Sequence, residues 1–509
     1  MTTRHFTRRE ALKLGALGAG TLLLPAALRS GTARAAVAHA SPRKKPFQAD
    51  LPIPPILQPV RRDATTDFYE IVQRAATHEF IPGISTPVWG YNGIVPGPTI
   101  LARKGRRVVV THFNQLPPDG DLRNIVVPFP DPPHQVNFRD SSTVVHHHGA
   151  NADPLSDGYP ELTILPGQQF THVIPNNAYQ RPATLWYHDH SIHVTGEAVY
   201  RGLAGFYILQ DDLEDALPLP KGYGVHDIPL KLQDVVITKP GGTLVYANNN
   251  HFGVEGDVQT VNGVQQPRLE VANRKYRFRM LNGSDARVYR VALKDRSEII
   301  MIGSDQGLLE RPAPVLGFRI APAERYEFVI DFARFPIGSR VILENTLAEP
   351  GSPVRQLMAF DVVRRESEDS QVPAVLRPIE RIPRSLVVKE RTFEFDRSGG
   401  YFSVNGRQWN RNRVDADPRV NTAEIWHLVN PAGGWVHPIH IHLVRFLILG
   451  VEGRPLEPYE RGWKDTVFLG PNQHAAVIMQ FANFRGRYVI HCHNASHEDH
   501  DMMTQFDVV

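Results

Sequence analysis

Hydrophobic and polar positions alternate over short stretches of this chain. Runs rich in Val, Ile, Thr and Phe, such as RRVVVTHF at 106–113 and KYRFRML at 275–281, are separated by Gly, Pro and Asn. Long amphipathic heptads are absent, and 42 prolines and 39 glycines supply many turns. Alternation with a period of two indicates half-buried strands, and frequent turn residues keep them short. The pattern therefore predicts an all-β protein built from sandwiches or barrels.

One sequence pattern occurs three times. The copies are YNGIVPGPTILARKGRRVVVTHFN, VNGVQQPRLEVANRKYRFRMLN and VNGRQWNRNRVDADPRVNTAEIWHLVN, and their turns begin at Asn92, Asn262 and Asn405. Each has an Asn-Gly turn, a basic or polar stretch and an alternating strand that ends in Asn. A period of about 150 residues is too long for a solenoid and predicts duplicated domains. We place these domains at 45–212, 226–365 and 380–509, with Pro-containing charged linkers between them.

The first 36 residues predict a twin-arginine export signal. Arg8 and Arg9 precede a modestly apolar run, and the Ala-Arg-Ala at 33–35 matches an A-x-A cleavage site. A transmembrane anchor is the alternative, but Lys13, several glycines and Pro25 interrupt the run. We expect the twin-arginine export machinery as a partner, cleavage of the signal, and no stable membrane insertion afterwards. The expected location is periplasmic or extracellular/cell-surface in a bacterium.

Charge and cysteine content narrow the class of protein. A formal net charge of +3 over 509 residues is too slight to predict nucleic-acid binding, and no basic and aromatic stripe indicates it. The chain has one cysteine. A disulfide framework is therefore excluded, although an exported protein meets an oxidising environment.

That cysteine lies in the C-terminal run HCHNASHEDHDMM, where Cys492 stands between His491 and His493. Alternate residues of a strand face opposite ways, so the two imidazoles point to one side and the thiol points to the other. His497 and Met502 follow at spacings that suit one copper ion. A thiolate, two imidazoles and a weak thioether form the ligand set of a blue-copper electron-transfer site. The alternative is a buried free cysteine beside solvated histidines.

Three further H-x-H pairs lie in VVHHHGA, LWYHDHS and HPIHIHL, each flanked by β-branched or aromatic residues. Each predicts a strand that offers two imidazoles on one face. Together with the C-terminal pair they supply more imidazoles than a mononuclear site uses, whereas a cluster of three coppers could use all of them. His437 remains for the blue-copper site, because the fixed φ of Pro438 turns the chain between it and His440. The histidines of the four pairs are His146, His148, His188, His190, His440, His442, His491 and His493.

These motifs resemble, in their order and spacing, those of the multicopper oxidase family. SDGYPE, HDHSIHVTGEAVYRGLAGFYIL and GWKDTVFL are most similar to stretches of bacterial spore-coat laccases, with phenoxazinone synthases and bilirubin oxidases as close relatives. The resemblance extends from about Pro52 to Val509. It implies three consecutive cupredoxin-like Greek-key domains. Since the ligands lie only in the first and third copies, we expect the cluster at their interface, with the middle domain as a spacer and partial substrate wall.

The resemblance also implies a role for each ligand around four copper ions: one type 1, one type 2 and two type 3. Asp157 in SDGYPE and Glu498 match positions that deliver protons during dioxygen reduction. For each acid the alternative is a structural carboxylate bonded to a ligand imidazole, and both roles can hold at once. The complete ligand set argues against a copper-free family member with a structural role. The implied ligands are His437, Cys492, His497 and axial Met502 for type 1, His146 and His440 for type 2, His148, His188 and His493 for one type 3 copper, and His190, His442 and His491 for the other.

Three other histidines lie beside these motifs. His147 stands between two ligands and is expected to point away from the cluster. His193 and His500 follow ligands at spacings other than the strand period, so we expect solvent contact or a supporting role for them.

The implied activity is that of a laccase-like multicopper oxidase. Type 1 copper, held near the surface by His437 and His497, would accept single electrons from a phenol or an aromatic amine, and four such electrons would reduce dioxygen to water. A bilirubin oxidase-like enzyme or a metal oxidase, for example of manganese, is the alternative. The manganese oxidase would need carboxylates near His497. Seven methionines without a Met-rich segment argue against a dedicated cuprous oxidase.

Other copper proteins fit the sequence less well. A simple blue-copper electron carrier would have no function for the four H-x-H pairs. Copper nitrite reductases lack the histidine set of a three-copper cluster. A copper storage protein would not need a thiolate joined to two imidazoles. The sequence therefore favours an oxidase.

Overall fold

Short strands dominate the structure, a computed structural model that describes residues 41–118, 141–239, 241–247, 252–431 and 433–509. Strands make up 48% of the protein and helices 7%, which confirms the predicted all-β class. The predicted export signal lies outside the described residues.

Nine strands of the described chain precede the first predicted linker and form two sheets. The sheets have the orders β1-β2-β5-β7, with β3 against β2, and β4-β9-β8-β6, and the second carries the first two H-x-H pairs. The strands are β1 (Arg61–Arg62), β2 (Thr66–Ile81), β3 (Ile84–Tyr91), β4 (Gly97–Arg103), β5 (Arg107–Asn114), β6 (Val145–His148), β7 (Gln169–Ile174), β8 (Ala183–Asp189) and β9 (Ala204–Gln210).

Twelve described strands follow in the middle of the chain and form two further sheets. They are β10 (Asp227–Val235), β11 (Val258–Val261), β12 (Val264–Gln265), β13 (Arg268–Ala272), β14 (Lys275–Asn282), β15 (Tyr289–Leu293), β16 (Ile299–Ser304), β17 (Gly307–Val315), β18 (Phe318–Ile320), β19 (Arg325–Asp331), β20 (Arg340–Asn345) and β21 (Gln356–Arg364). The sheet orders are β12-β11-β10-β14-β19-β16-β17 and β13-β21-β20-β15-β18.

The last described strands form the sheets that carry the C-terminal motifs. They are β22 (Val387–Ser398), β23 (Tyr401–Val404), β24 (Thr422–Asn430), β25 (His437–Ile441), β26 (Phe446–Val451), β27 (Thr466–Leu469), β28 (Gln473–Phe481), β29 (Gly486–Cys492) and β30 (Met503–Val508). Their orders are β23-β22-β24-β28-β26 and β27-β25-β29-β30. Each sheet of the protein thus takes its strands from one predicted domain range, and the range limits themselves stay a prediction.

Helices are few and short among the described residues. They are α1 (Pro154–Asp157), α2 (Thr195–Arg201), α3 (Asp212–Ala216) and α4 (Ala495–Asp499), with 3-10 turns at Phe332–Arg334, Arg384–Leu386 and Pro458–Arg461. None of these helices has the length and apolar character needed to cross a membrane. They connect strands or cap the ends of sheets.

The chain before β1 packs on the middle sheets, although the first predicted domain begins at 45. The backbone N–H of Phe47 donates to the carbonyl of Gln266, and that of Leu51 donates to the carbonyl of Arg268. Leu51 also lies in the hydrophobic core of the middle sheets. This segment therefore ties the start of the described chain to the middle strands.

The three Asn-Gly turns have the same geometry. Asn92, Asn262 and Asn405 have φ of +55°, +50° and +55°, in the left-handed region that Asn tolerates. The side-chain oxygen of each Asn accepts a backbone N–H from the preceding parallel strand, at 2.8, 2.7 and 2.8 Å. The repeat seen in the sequence is therefore a structural repeat.

The Asn at the end of each repeat also makes the same kind of hydrogen bonds in all three copies. The side-chain amides of Asn114, Asn282 and Asn430 each donate to two backbone carbonyls, at 2.6 to 3.1 Å. The strand that ends in this Asn pairs in parallel with an earlier strand in each copy, as in β2 with β5, β10 with β14 and β22 with β24. The same polar contacts therefore close the same strand arrangement three times.

Strand pairing brings the H-x-H motifs together. In the first sheet pair His146 lies opposite His188 on β6 and β8. In the third, His440 lies opposite His491 on β25 and β29. Because alternate residues share a face, each strand pair presents its four imidazoles on one side.

The buried turn at Asn262 should contribute more to stability than the exposed turn at Asn405. The Asn262 amide also donates to the carbonyls of Pro52 and Pro229, at 2.9 and 2.8 Å. Asn262→Ala removes a partner from the buried carbonyl of Pro229 and from the buried N–H of Lys231, so it should cost about 2–4 kcal/mol. Asn405→Ala is the matched control, with almost the same φ and one side-chain contact, and it should cost about 1 kcal/mol. The melting temperatures of both variants test this, and equal shifts would contradict it.

Candidate metal centres

Eight histidine side chains from the two strand pairs converge in the interior, each at most 4% exposed. Their potential ligand atoms form three groups, within each of which all atoms lie within 4.8 Å of one another. The structure thereby brings together all eight histidines of the four H-x-H pairs. The groups are His148, His188 and His493; His190, His442 and His491; and His146, His148 and His440.

The trio of His190, His442 and His491 has the dimensions of a metal site. Its three Nε2 atoms lie 3.2, 3.3 and 3.2 Å apart. Metal–imidazole bonds of about 2.0–2.1 Å at trigonal or tetrahedral angles place ligand nitrogens about 3.3–3.6 Å apart. One first-row metal ion therefore fits among these nitrogens.

Buried carboxylates set the protonation of this trio. The Nδ1–H of His442 donates to Oδ2 of Asp157 at 2.6 Å. Glu498 contacts Nδ1 of His190 at 3.2 Å and Nδ1 of His491 at 3.0 Å. With the proton on Nδ1, each Nε2 lone pair points into the trio. Lone pairs at this distance repel one another unless a cation lies between them.

The remaining cluster histidines have ring nitrogens without hydrogen-bond partners among the described residues. These atoms are Nε2 of His146, His188, His440 and His493, and Nδ1 of His148. On the opposite side of the rings, Nδ1 of His188 and of His440 contacts a backbone carbonyl, at 2.7 and 2.8 Å. Buried polar atoms normally have partners, so these unpaired nitrogens fit metal ligands.

The thiol group forms a separate site on the other face of β29. Sγ of Cys492 lies 3.4 Å from Nδ1 of His437 and 3.6 Å from Nδ1 of His497, and these two nitrogens lie 3.2 Å apart. The backbone N–H of Cys492 donates to the carbonyl of Met502 at 3.0 Å, and Met502 is fully buried in the same core. Copper with thiolate and imidazole ligands fits these separations.

Aromatic side chains cover this site. The His497 ring lies 4.4 Å from Phe402 and 5.6 Å from Trp435 between centroids, and Phe252 stacks on Trp435 at 4.3 Å. Phe252 is 43% exposed, whereas His497 is 1% exposed. The side chains of His437 and His497 are buried, and this aromatic cover (Phe252, Phe402 and Trp435) lies over His497.

Burial keeps the imidazoles neutral, which is the form that binds metal. It lowers the pKa of His437 and of His440 to about 3, and that of His190 to about 4. Burial also raises the pKa of Cys492 well above the usual thiol value. A coordinated thiol is deprotonated by the metal, so the thiolate form of Cys492 depends on metal binding.

The pKa values of the two acids beside the cluster are shifted in opposite directions. Burial raises the pKa of Asp157 well above that of an ordinary aspartate, and Asp153 raises it further. Burial acts in the same direction on Glu498, but His491 and His190 outweigh it and the pKa of Glu498 is lowered. The site therefore holds two acids with opposite pKa shifts, each in contact with a histidine of the cluster.

Asp465 is a site residue that sequence reasoning missed. Its Oδ1 lies 3.2 Å from Nε2 of His148, and its carbonyl contacts His440. Arg325 donates two hydrogen bonds to its carboxylate, at 2.7 and 2.5 Å, and Gln306 donates another at 2.7 Å. Asp465 belongs to the motif GWKDTVFL, but a lone acid just before a strand carries no spacing signal that links it to distant histidines.

The other histidines lie outside these groups. His147 points away from the cluster, as expected, and its ring packs against His112 and His172 at 5.6 and 5.2 Å between centroids. His193 contacts the carbonyl of Asp499 at 3.0 Å and His500 contacts that of Ser496. Neither occurs in the converging groups of the described residues.

Comparison with known proteins agrees with this geometry. Two family models, both described as multicopper oxidase, match residues 381–509 and residues 74–122 with 134–214. The chain is 37% identical to the bilirubin oxidase of Albifimbria verrucaria, over 92% of this chain and 82% of that protein. It belongs to the multicopper oxidase family. It is also 34% identical to the laccase of Bacillus subtilis strain 168, over 91% of this chain and 98% of that protein.

Solved structures support the same assignment. The laccase of Pediococcus acidilactici Pa5930 superposes with a TM-score of 0.81 at 27% identity, covering 92% of this chain and 96% of that chain. The predictions of cupredoxin-like domains and of a laccase-like multicopper oxidase that uses oxygen are confirmed. Copper is the metal that the family implies, and the histidine groups fit it.

Asp465 should be needed for stability and for copper retention in this multicopper oxidase. Asp465→Asn removes the nearer of two counter-charges of the buried Arg325 and leaves Asp305 at 4.0 Å, which should cost up to about 3 kcal/mol. Loss of the contact to His148 should also weaken copper binding about 10–100-fold. Melting temperature and copper content of the purified protein measure both effects.

Asp361→Asn is the control for this substitution, because Asp361 pairs with the more exposed Arg340 at 2.6 Å. A partly exposed pair contributes about 0–1 kcal/mol, so this variant should keep its copper. If the two variants behaved alike, the role assigned to Asp465 would be wrong.

Proposed function

We propose that this protein oxidises phenols or aromatic amines by single electrons and couples this to the four-electron reduction of dioxygen to water. The observation that carries the proposal is the pair of sites on strand β29. Cys492 faces the thiol site, while its neighbours His491 and His493 enter two different histidine groups.

The proposed cofactors are four copper ions. His437, Cys492, His497 and Met502 would hold type 1 copper, and His146 with His440 would hold type 2. His148, His188 and His493 would hold one type 3 copper, and His190, His442 and His491 the other. Bound copper would supply one-electron acceptance at the thiol site and dioxygen reduction at the three-metal site.

The chain itself supplies the connection between these sites. Two peptide bonds join Cys492 to His491 and His493, so only a few covalent bonds separate the sulfur from imidazoles of the cluster. The opposite orientation of adjacent strand residues makes this possible without exposing either site to solvent. Electrons would leave the thiol site through Cys492.

Glu498 and Asp157 would hold protons for dioxygen reduction. Both are buried beside the cluster, and their opposite pKa shifts suit one group that accepts and one that donates protons. Their contacts with His190, His442 and His491 also support the structural role, which orients ligand imidazoles. The two roles are compatible, because the same carboxyl group can hold a histidine ring in place through one oxygen and carry a proton on the other.

The surroundings of His497 favour an organic donor. Its ring contacts outside the ligand set include the aromatic side chains Phe402 and Trp435, which an aromatic donor can approach by stacking. Among the described residues, the one converging group that includes a carboxylate contains Asp157 rather than an acid beside His497. This argues against a manganese oxidase. Bilirubin is a second candidate donor, supported by the 37% identity to a bilirubin oxidase.

A donor panel tests the proposed function. Oxygen uptake by the copper-loaded protein is measured with a methoxyphenol, an aromatic amine, bilirubin and manganous ion. We expect faster turnover with the phenol and the amine than with manganous ion. An aromatic donor can stack on the side chains around His497, whereas a metal ion cannot. Manganous ion as the preferred donor would overturn the proposal.

Cys492→Ser provides the internal control for that panel. It should lose the blue absorption and turnover with every donor, because serine oxygen does not replace a copper thiolate. Met502→Leu is the matched variant, since it removes only the weak axial ligand and should keep both the colour and turnover. Turnover by a colourless Cys492→Ser protein would show that electrons do not pass through the sulfur.

We also propose that the protein is exported by the twin-arginine route. The support is the sequence around Arg8 and Arg9, with the small-residue stretch that follows. Replacing both arginines by lysine should leave the precursor in the cytoplasm, because the signal is read through the arginine pair. Arg4→Lys, outside the pair, should be exported normally. Cell fractionation followed by immunoblotting distinguishes these outcomes, and normal export of the double variant would refute the proposal.

A further inference from the structure

A tight hairpin holds a positive charge against the aromatic cover of the thiol site. Strands β22 and β23 are joined by Gly399 and Gly400, whose φ values of +62° and +94° give a two-residue turn. Arg397 and Phe402 lie directly opposite each other across this hairpin, so their side chains share a face. The guanidinium of Arg397 lies 5.5 Å from the ring centroid of Phe402. Strand pairing therefore fixes the position of this charge.

The same guanidinium also contacts the second ring that lies next to His497. It is 5.5 Å from the ring centroid of Trp435. Phe402 and Trp435 lie 4.4 and 5.6 Å from the His497 ring between centroids. One layer of aromatic side chains thus separates Arg397 from a proposed copper ligand. A donor that approaches His497 through this layer meets the charge of Arg397.

Arg397 has no counter-ion among the described residues. Its Nε is buried without a hydrogen-bond partner, although the side chain as a whole is only partly buried. The neighbouring acid, Asp396, accepts the backbone N–H of Arg397 at 2.7 Å and forms no ion pair with the guanidinium. A partly buried guanidinium is normally paired, because removing a charge from water is costly. When it stacks on a ring, its N–H groups remain available at the edge for a two-bond contact with a carboxylate.

The surface beside this guanidinium suits an aromatic ligand. Phe252 stacks on Trp435 at 4.3 Å between centroids and is 43% exposed. A neutral phenol would contact only these rings, and a small inorganic anion would contact only the guanidinium. An aromatic molecule that carries a carboxylate would use both, because its ring packs on the cover while its charge pairs with Arg397.

We infer that Arg397 makes the thiol site selective for aromatic donors that carry a carboxylate. This inference rests on the proposed function, since it names the donor class of the same site. Each phenolic donor would lose one electron and its phenolic proton, and four of each convert one dioxygen into two waters. The carboxylate takes no part in this reaction and serves only for binding.

A pair of donors that differ only in charge tests the inference. Dihydroferulate and its neutral amide carry the same methoxyphenol ring, and the saturated side chain keeps the charge away from the group that is oxidised. Oxygen uptake by the copper-loaded protein gives KM and kcat for each donor. We expect a KM at least about fivefold lower for dihydroferulate, with similar kcat values. Equal KM values would overturn the inference, whereas absence of turnover with both donors would contradict the proposed function instead.

Arg397→Gln should abolish this preference. Glutamine keeps a polar side chain against the rings but has no charge, so the KM for dihydroferulate should rise at least about fivefold while that for the amide stays unchanged. Blue absorption and melting temperature verify that the variant is folded and holds copper. A preference that persists in Arg397→Gln would show that the charge is not the selective group.

Two further measurements separate charge from structure. Arg397→Lys should retain part of the preference, because an ammonium group keeps the charge but not the two-bond geometry. Equal losses in the lysine and glutamine variants would contradict pairing with the carboxylate. In the unmodified protein, added sodium chloride should raise the KM for dihydroferulate and leave that for the amide unchanged. This measurement decides the question even if a variant does not fold, since a preference that is insensitive to salt would contradict a charge pair.

Arg61→Gln is the matched control. Arg61 also lies over an aromatic ring, that of Phe68 at 3.4 Å, but it belongs to β1 of the first sheets and pairs with Asp63 at 3.6 Å. Its loss changes the net charge as much as the loss of Arg397 does. Arg61→Gln should therefore keep the full preference for dihydroferulate. An equal loss in both glutamine variants would indicate a general effect of net charge and would contradict a defined contact at Arg397.

Discussion

Several buried imidazole nitrogens point their lone pairs at one another, and the interior of this protein is organised around that constraint. In the trio of His190, His442 and His491, Nε2 atoms lie 3.2–3.3 Å apart while Nδ1 is engaged by a carboxylate. This arrangement is unfavourable without a cation and favourable with one. Folding and metal binding are therefore coupled. The folded chain brings these nitrogens together against their mutual repulsion, and a bound cation removes that repulsion.

The groups behind the histidines keep this arrangement in place. Asp157 and Glu498 fix ring orientation on one side of the cluster, and Asp465 does so on the other. Asp465 is in turn held by the buried Arg325 of the middle sheets. A strand of the middle region thus stabilises a cluster to which it contributes no ligand. The middle domain is therefore more than a spacer between two ligand-bearing domains.

The duplicated fold explains how distant ligands reach one place. Each copy repeats the Asn-Gly turn and the Asn that closes the strand, so each builds a sheet pair of the same kind. Cross-strand pairing of His146 with His188 and of His440 with His491 then forms two four-imidazole faces. The aromatic cover (Phe252, Phe402 and Trp435) shields the thiol site from water. Its rings also offer a surface on which an aromatic donor could stack.

The sequence by itself determined the strand character, the three copies and the histidines of the converging groups, because periodicity and H-x-H spacing are local properties. It also determined that Cys492 and its neighbours face opposite ways, since that follows from strand geometry alone. Only the tertiary structure decided the contacts of Asp465 and the burial of His437 and His497. Those properties depend on contacts between residues more than a hundred positions apart or on the covering of a site by other elements, and no local pattern records them.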